Sequence, residues 1–271
     1  MSKKKYAIIQ ARMSSSRLPK KVLKKIGKKP MLYYVIKQTL ASKSIDEVII
    51  VTTKERIDNE IVNYCKQNKI KVFRGSKLNL LDRYFQCAKK YQCDPIIRIT
   101  SDCPLIDPDV IDKIIKKFNK NSFDYVANNL EKFNGKWDNS MCNFPQGMTV
   151  EVSSFKSLEK AWKKAKKPSE KEHVFPYIQF NPKLFKVSNV KMKKNLSNIR
   201  CTVDRKEDLK FVKIIFEKLK EKEIIKIKDI LKIIEKNPNL ISINNKIPFD
   251  EGYQKSLLID KKYKIKKWKK L

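Results

Sequence analysis

An α/β fold, a Rossmann-like doubly wound and mostly parallel sheet, is predicted by three observations. Short apolar runs of strand length recur along the first hundred residues: Tyr6-Ala7-Ile8-Ile9, Glu47 to Thr52, Lys71-Val72-Phe73 and Pro95 to Thr100. They read as strands buried on both faces. Between them lie segments with apolar residues at helical spacing, and this alternation marks parallel crossover units. Polar or charged loops leave several of the runs at their C-terminal ends, the edge where open α/β sheets bind ligands.

In chain order, the first run leads into Gln10-Ala11-Arg12-Met13-Ser14-Ser15-Ser16-Arg17-Leu18-Pro19-Lys20-Lys21. Three serines supply hydroxyls and unhindered N–H groups, and Arg12, Arg17, Lys20 and Lys21 supply cations. That chemistry suits a polyphosphate cradle. A solvated basic loop is the plainer alternative, and the length and position of the segment favour the cradle. Pro30 then opens a helix with Leu32, Val35, Ile36 and Leu40 at helical spacing. A second helix is predicted over 56–67, with Ile57, Ile61, Val62 and Cys65 inward, and a third carries Leu81, Tyr84, Phe85 and Ala88.

The fourth strand runs into Ser101-Asp102-Cys103-Pro104-Leu105-Ile106-Asp107-Pro108. Asp102, just past the strand, is a candidate metal ligand. Asp107 reads as the N-cap of a helix carrying Val110, Ile111, Ile114, Ile115 and Phe118. Strands are predicted at 124–129 and 149–152, with a loop or excursion over 130–145 between them. Helices follow over 155–165 and 169–180, the latter opened by a Ser169/Glu172 capping box. A short strand at 200–204 ends in Asp204. The next helix carries Leu209, Val212, Phe216 and Leu219, and another spans 230–235. The remaining tail reads as lysine-rich and irregular.

The chain has 271 residues, 63 Lys+Arg against 29 Asp+Glu, and a net charge of +34. So basic a balance raises nucleic acid or an anionic surface as partners. The lysines are scattered over every predicted helix without an aromatic-interleaved motif, so composition is preferred as the explanation. A small anionic substrate would still be attracted. The six cysteines form no C-x-x-C pair and there is one histidine, which disfavours zinc and suits a reducing compartment. The N-terminal apolar run is too short for a signal peptide, and no run reaches membrane-spanning length. A soluble cytoplasmic protein with no membrane partner is expected.

The cationic loop, Asp102 and Asp204 converge on one sheet edge. Two carboxylates and a cradle suit Mg²⁺ with a nucleoside triphosphate, because Mg²⁺ keeps waters and shares its sphere with phosphate. The dinucleotide and P-loop glycine motifs are both missing, which leaves a nucleotidyltransferase as the fitting class.

These stretches, together with Val72-Phe73-Arg74-Gly75-Ser76, Leu81-Asp82-Arg83-Tyr84, Val150-Glu151-Val152, Ser169 to His173, Thr202-Val203-Asp204 and Glu251 to Leu257, resemble the sugar cytidylyltransferases of the spore coat polysaccharide type. Relatives of that group activate Kdo, sialic, pseudaminic and legionaminic acids with CMP. The resemblance implies a glycosyltransferase-A-like, nucleotide-diphospho-sugar transferase fold. Residues 1–225 would be the nucleotidyltransferase domain, and 226–271 a helical and irregular basic extension of it. It implies transfer of CMP from CTP to an acidic or phosphorylated sugar, in surface polysaccharide or glycan precursor synthesis. It also implies release of pyrophosphate, Mg²⁺ as the cofactor, and a possible homodimer.

Carried over, Lys21, Arg12 and Arg17 are the catalytic cations, with Lys21 at the α-phosphate. Nucleotide contacts fall to Gln10, Ala11, Met13, Ser14, Ser15, Ser16, Thr100 and Asp102, with Arg74 and Asp82 near the base. Arg74 reads equally well as a surface residue. Asp102 and Asp204 hold the metal. Gln146, Thr149, Glu151 and His173 fall to the acceptor, although His173 reads equally well as structural. The family usually has Gly at Lys20 and Ser101, and often acidic residues at Gln146 and Thr149. The rival readings are a nucleic-acid-binding protein, a nucleotidyltransferase using another triphosphate, and a catalytically weakened subunit. Retention of Arg12, Arg17, Lys21, Asp102 and Asp204 argues against the last.

Overall fold

The computed structural model describes residues 4–130, 132–133, 136–137 and 142–268. The strands are β1 (Tyr6–Gln10), β2 (Lys25–Ile26), β3 (Lys29–Pro30), β4 (Glu47–Thr53), β5 (Lys71–Gly75), β6 (Ile96–Thr100), β7 (Tyr125–Ala127), β8 (Lys132–Phe133), β9 (Lys136–Trp137), β10 (Glu151–Ser153) and β11 (Val187–Asn189). The helices are α1 (Met31–Leu40), α2 (Asn59–Gln67), α3 (Leu80–Tyr91), α4 (Pro108–Lys120), α5 (Phe155–Lys164), α6 (Pro168–His173), α7 (Pro176–Gln179), α8 (Lys206–Lys218), α9 (Ile227–Lys236) and α10 (Glu251–Trp268). Seven strands form one sheet in the order β11-β7-β10-β6-β1-β4-β5. β1 pairs in parallel with both β4 and β6, and β10 runs antiparallel between β6 and β7. The expected doubly wound, mostly parallel sheet is therefore present.

Strand alternation sends side chains to two cores. Ile9, Ile50 and Ile97 point to the layer of α1, α4, α8 and α9, against Leu32, Val35, Ile111 and Phe211. Ile8, Ile49 and Tyr125 point to the layer of α3, α5 and α7, against Leu81, Phe85, Leu158 and Phe175. Asp107 caps α4 as expected, accepting from Asp109 N at 2.8 Å. No helix among the described residues is long and apolar enough to cross a membrane.

Four readings are corrected. Residues 200–204 form no strand; Arg200 alone makes a bridge, to Gln146. The reason lies at Gly147, with φ +90°, where a Cβ would stand 2.5 Å from Thr202 N. The two segments cross backbone to backbone, and Val203 N then bonds Asp102 O at 2.8 Å instead of continuing a ladder. The single helix expected over 169–180 is two, broken at Val174, whose φ of 73° is costly for a β-branched residue. Ser169 and Glu172 do not form the capping box. Glu170 instead accepts from Lys166 N and Lys167 N at 2.8 and 2.9 Å, and Ser169 bonds Asp260. The tail read as irregular carries α10. The excursion expected over 130–145 lies partly outside the described residues, and β8 pairs with β9 within it.

Candidate active site

The basic segment after β1 is folded back on itself. Met13 N donates to the buried Asp58 carboxylate at 2.8 Å, and Lys20 N to Met13 O at 3.0 Å. Closing that loop puts Lys20 in the left-handed region, φ 56°. The resembling family usually has Gly at this position, and Gly takes that conformation without the Cβ penalty. Lys20 itself is exposed and reaches Glu60 at 2.8 Å. The short 3-10 turn Lys21–Leu23 follows and aims Lys21 inward.

Lys21 Nζ lies 3.0 Å from Asp102, 2.8 Å from Asp204 and 2.9 Å from Val203 O. One ammonium thus joins the ends of β6 and of the 200–204 segment, about a hundred residues apart in sequence. Burial alone would lower the Lys21 pKa; the two carboxylates outweigh it and raise it. Burial likewise opposes ionisation of Asp204, but Lys21 and Arg17 hold its pKa well below the usual carboxylate range. Arg17 reaches Asp204 at 2.7 Å, and Arg200 reaches it from the other side at 3.1 Å.

These groups line a cavity of 820 Å³. On the loop side it is bounded by Gln10, Ala11, Arg12, Ser15, Ser16 and Arg17, and on the floor by Thr100 and Asp102. Arg12 forms no ion pair among the described residues, so its charge is available to a ligand. The far side holds Gln146, Thr149, Glu151 and His173. Met13 is buried outside the lining, and Ser14 is exposed outside it. Arg74 and Asp82, expected near the base, also lie outside it. Arg74 is spent on Thr53 O and Glu55 O, and Asp82 on the indole of Trp162 at 2.9 Å.

Two of the expected acceptor contacts are already engaged. Gln146 accepts from Arg200 at 2.8 Å and donates to Ser197 O at 3.0 Å. Glu151 is paired with Arg98 and accepts from the Tyr125 hydroxyl at 2.6 Å. Arg200 and Arg205 are committed to Asp208 and Glu251.

Asp102 and Asp204 fit a shared Mg²⁺. They are hard oxygen donors that already converge on one cation. No group of three His, Cys, Asp or Glu able to hold a metal occurs among the described residues. The donor set therefore suits an ion that completes its sphere with phosphate and water, not an all-protein cage.

Several residues of the site were missed in the sequence. Arg98 carried a signal, a lone charge in the apolar run Ile96-Ile97-Arg98-Ile99. The wall from α10 carried little: Glu251 bridges Arg17 at 3.6 Å and Arg205 at 3.0 Å, and Ser256 joins His173 and Glu172 at 3.0 and 2.7 Å. His173 also meets the Tyr253 ring edge-on, with centroids 5.0 Å apart.

Burial lowers the His173 pKa from 6.5 to about 4, against the opposing pull of Glu172. Between those values the unfolded chain binds a proton that the folded one does not, so stability falls as pH falls from 6.5 toward 4. The loss is expected to be on the order of 2 kcal/mol over that window. Thermal melts across it should show a shallower pH slope for His173→Gln than for the wild type. Parallel slopes would refute the assignment.

A single sheet between two helical layers, with a cationic loop and two carboxylates at its C-terminal edge, defines a nucleotidyltransferase. The cytidylyltransferase family model matches residues 6–256, and the chain belongs to that family. An uncharacterized protein of Methanocaldococcus jannaschii is 38% identical over 244 residues, 89% of this chain and 94% of its own length. The spore coat polysaccharide biosynthesis protein SpsF of Bacillus subtilis is 28% identical over 240 residues, 86% and 94% of the two chains. A solved cytidylyltransferase from Leptospira borgpetersenii superposes with a TM-score of 0.80 at 32% identity, covering 91% of this chain and all of that one. The chain is thus an enzyme, a CTP-dependent sugar cytidylyltransferase.

Proposed function

We propose that the cavity transfers CMP from CTP to an acidic sugar, a nonulosonic acid ahead of a sugar or polyol phosphate, with release of pyrophosphate. The observation that carries this reading is the meeting of Lys21, Asp102 and Asp204 beside a loop with Arg12 and Arg17. The loop cations and N–H groups hold the triphosphate. Lys21, poised on the two carboxylates, moves its charge to the α-phosphate as an acceptor oxygen attacks in line. Catalysis is then positioning and charge neutralisation. Mg²⁺ held by Asp102 and Asp204 would neutralise phosphate charge when bound. A carboxylate or phosphate acceptor needs no general base; a hydroxyl does, and the neutral His173 is the nearest candidate by chemistry. The resemblance to SpsF supports a place in surface polysaccharide or glycan precursor synthesis.

The test is pyrophosphate release by the purified protein with CTP, UTP, ATP and GTP against sugar acids and sugar phosphates. CTP is expected to exceed UTP by ~10²-fold or more, since a site built for cytosine leaves buried partners unpaired with uracil. Equal use of CTP and UTP, or turnover with neutral sugars only, would refute the reading.

A further inference from the structure

Arg98 is the one charged side chain of β6 and is 9% exposed. Strand alternation turns it with Ile96 and Thr100 toward the α3 layer, where an unpaired guanidinium would be costly. Its Nη1 pairs with Glu151, its register partner on β10. Its Nε donates to Gln10 Oε1 at 3.2 Å, and the Tyr84 hydroxyl donates to the same oxygen. A guanidinium has donors and no acceptor. The Gln10 atom facing it must therefore be the carbonyl oxygen, and the Nε2 amide points away.

That amide forms no hydrogen bond among the described residues, and neither does Arg98 Nη2; both residues line the cavity. Nε and Nη2 share one edge of a guanidinium, so the two unused donors are neighbours. Glu151 cannot swing away to take them, because Arg98 and Tyr125 hold its two oxygens. The part of the floor that Gln10 and Arg98 form thus offers two donors and no free side-chain acceptor.

We propose that Gln10 and Arg98 bind the carboxylate of the acceptor sugar on this floor, making Gln10 a specificity-determining residue. The inference rests on reading the cavity as a site for an acidic sugar. A carboxylate offers two oxygens that only accept, which matches two groups that only donate. The Arg98–Glu151 pair is internally neutralised, so the floor selects by hydrogen bonding. Lys171, which also lines the cavity and is in no ion pair among the described residues, supplies the attraction of charge. The floor lies where β1 and β6 meet the antiparallel β10, and its network continues through Tyr125 to Gln179 of α7 at 2.6 Å.

The test is titration calorimetry of the full chain with MgCl₂ and a CTP analogue carrying a methylene bridge between the α- and β-phosphorus. The probes are 3-deoxy-manno-octulosonate and N-acetylneuraminate, each as the sodium salt and as the methyl ester. The wild type is expected to bind at least one acid about ten-fold more tightly than its ester, the scale of a hydrogen bond to a charged group. Gln10→Met should bring the acid-to-ester ratio close to one. Gln10→Glu, which presents an oxygen to the carboxylate, should weaken the acid further than Gln10→Met. The inference is overturned by equal binding of acid and ester, by no binding of either acid, or by a Gln10→Met variant that keeps the ratio. Selective, Gln10-dependent binding without pyrophosphate release from CTP would refute the transfer reaction and leave the donor floor standing.

Discussion

Asp204→Asn is expected to lower kcat for CMP transfer by about 10²–10³-fold, the scale of removing one preorganised electrostatic partner from a reacting centre. The structure gives the reason. Asp204 holds Lys21 at 2.8 Å and Arg17 at 2.7 Å. Two of the three catalytic cations thus take their position from one carboxylate. Asn keeps the shape and loses the charge that keeps Lys21 protonated and aimed. Asp102→Asn should fall in the same range, and the double variant should be little worse than either, because the residues act as a unit. Lys21→Ala should lower kcat more than it raises the KM for CTP, whereas Arg17→Ala should mainly weaken triphosphate binding. Circular dichroism and thermal melts would establish that each variant folds. Near wild-type turnover by Asp204→Asn would remove it from the reacting centre.

The parallel half of the fold was legible because each of its strands is an uninterrupted apolar run and each crossover a helix of ordinary period. β4, with six of its seven residues buried, is the plainest case. The second half was harder for identifiable reasons. β11, Val187–Asn189, is three half-buried residues at a sheet edge, too short and too polar to show a period. The 200–204 segment has strand composition, and only the close crossing at Gly147 keeps it out of the sheet. Among the described residues, α10 buries Tyr253, Ser256 and Asp260, too few and too mixed with lysines in the sequence to leave a clear stripe.

In the site, the charged loop and the two strand-end carboxylates were readable because their chemistry is concentrated in sequence. The buried pairs were not. Glu151 reads as a ligand contact from its position alone. Its true partner, Arg98, is 53 residues away and becomes visible only when β10 is known to run antiparallel beside β6. Gln146 is a similar case, since its amide is claimed by Arg200 across the bridge that Gly147 permits.

Arg200 carries the largest expected effect on stability. It is 4% exposed and its guanidinium spans Asp208 at 2.8 Å, Asp204 at 3.1 Å and Gln146 at 2.8 Å. Asp208 is fully buried and also accepts from Asp204 N and Arg205 N, both at 2.9 Å, where α8 begins. Arg200→Met keeps much of the volume and removes the only cation paired with Asp208 among the described residues. A buried carboxylate left without its counter-charge costs about 3–5 kcal/mol. For a chain of this size that corresponds to a fall in Tm of roughly 10 °C. Arg200→Lys should recover only part of it, because an ammonium cannot serve Asp208, Asp204 and Gln146 from one planar fork. Activity should fall in Arg200→Met even well below its Tm, since Asp204 loses the partner on the side opposite Lys21. Calorimetric melts with CTP turnover at 20 °C, on the wild type and both variants, check both effects. A Tm for Arg200→Met equal to the wild type's would mean that Asp208 needs no counter-charge, and that the backbone N–H groups of α8 suffice to hold the end of the 200–204 segment in place.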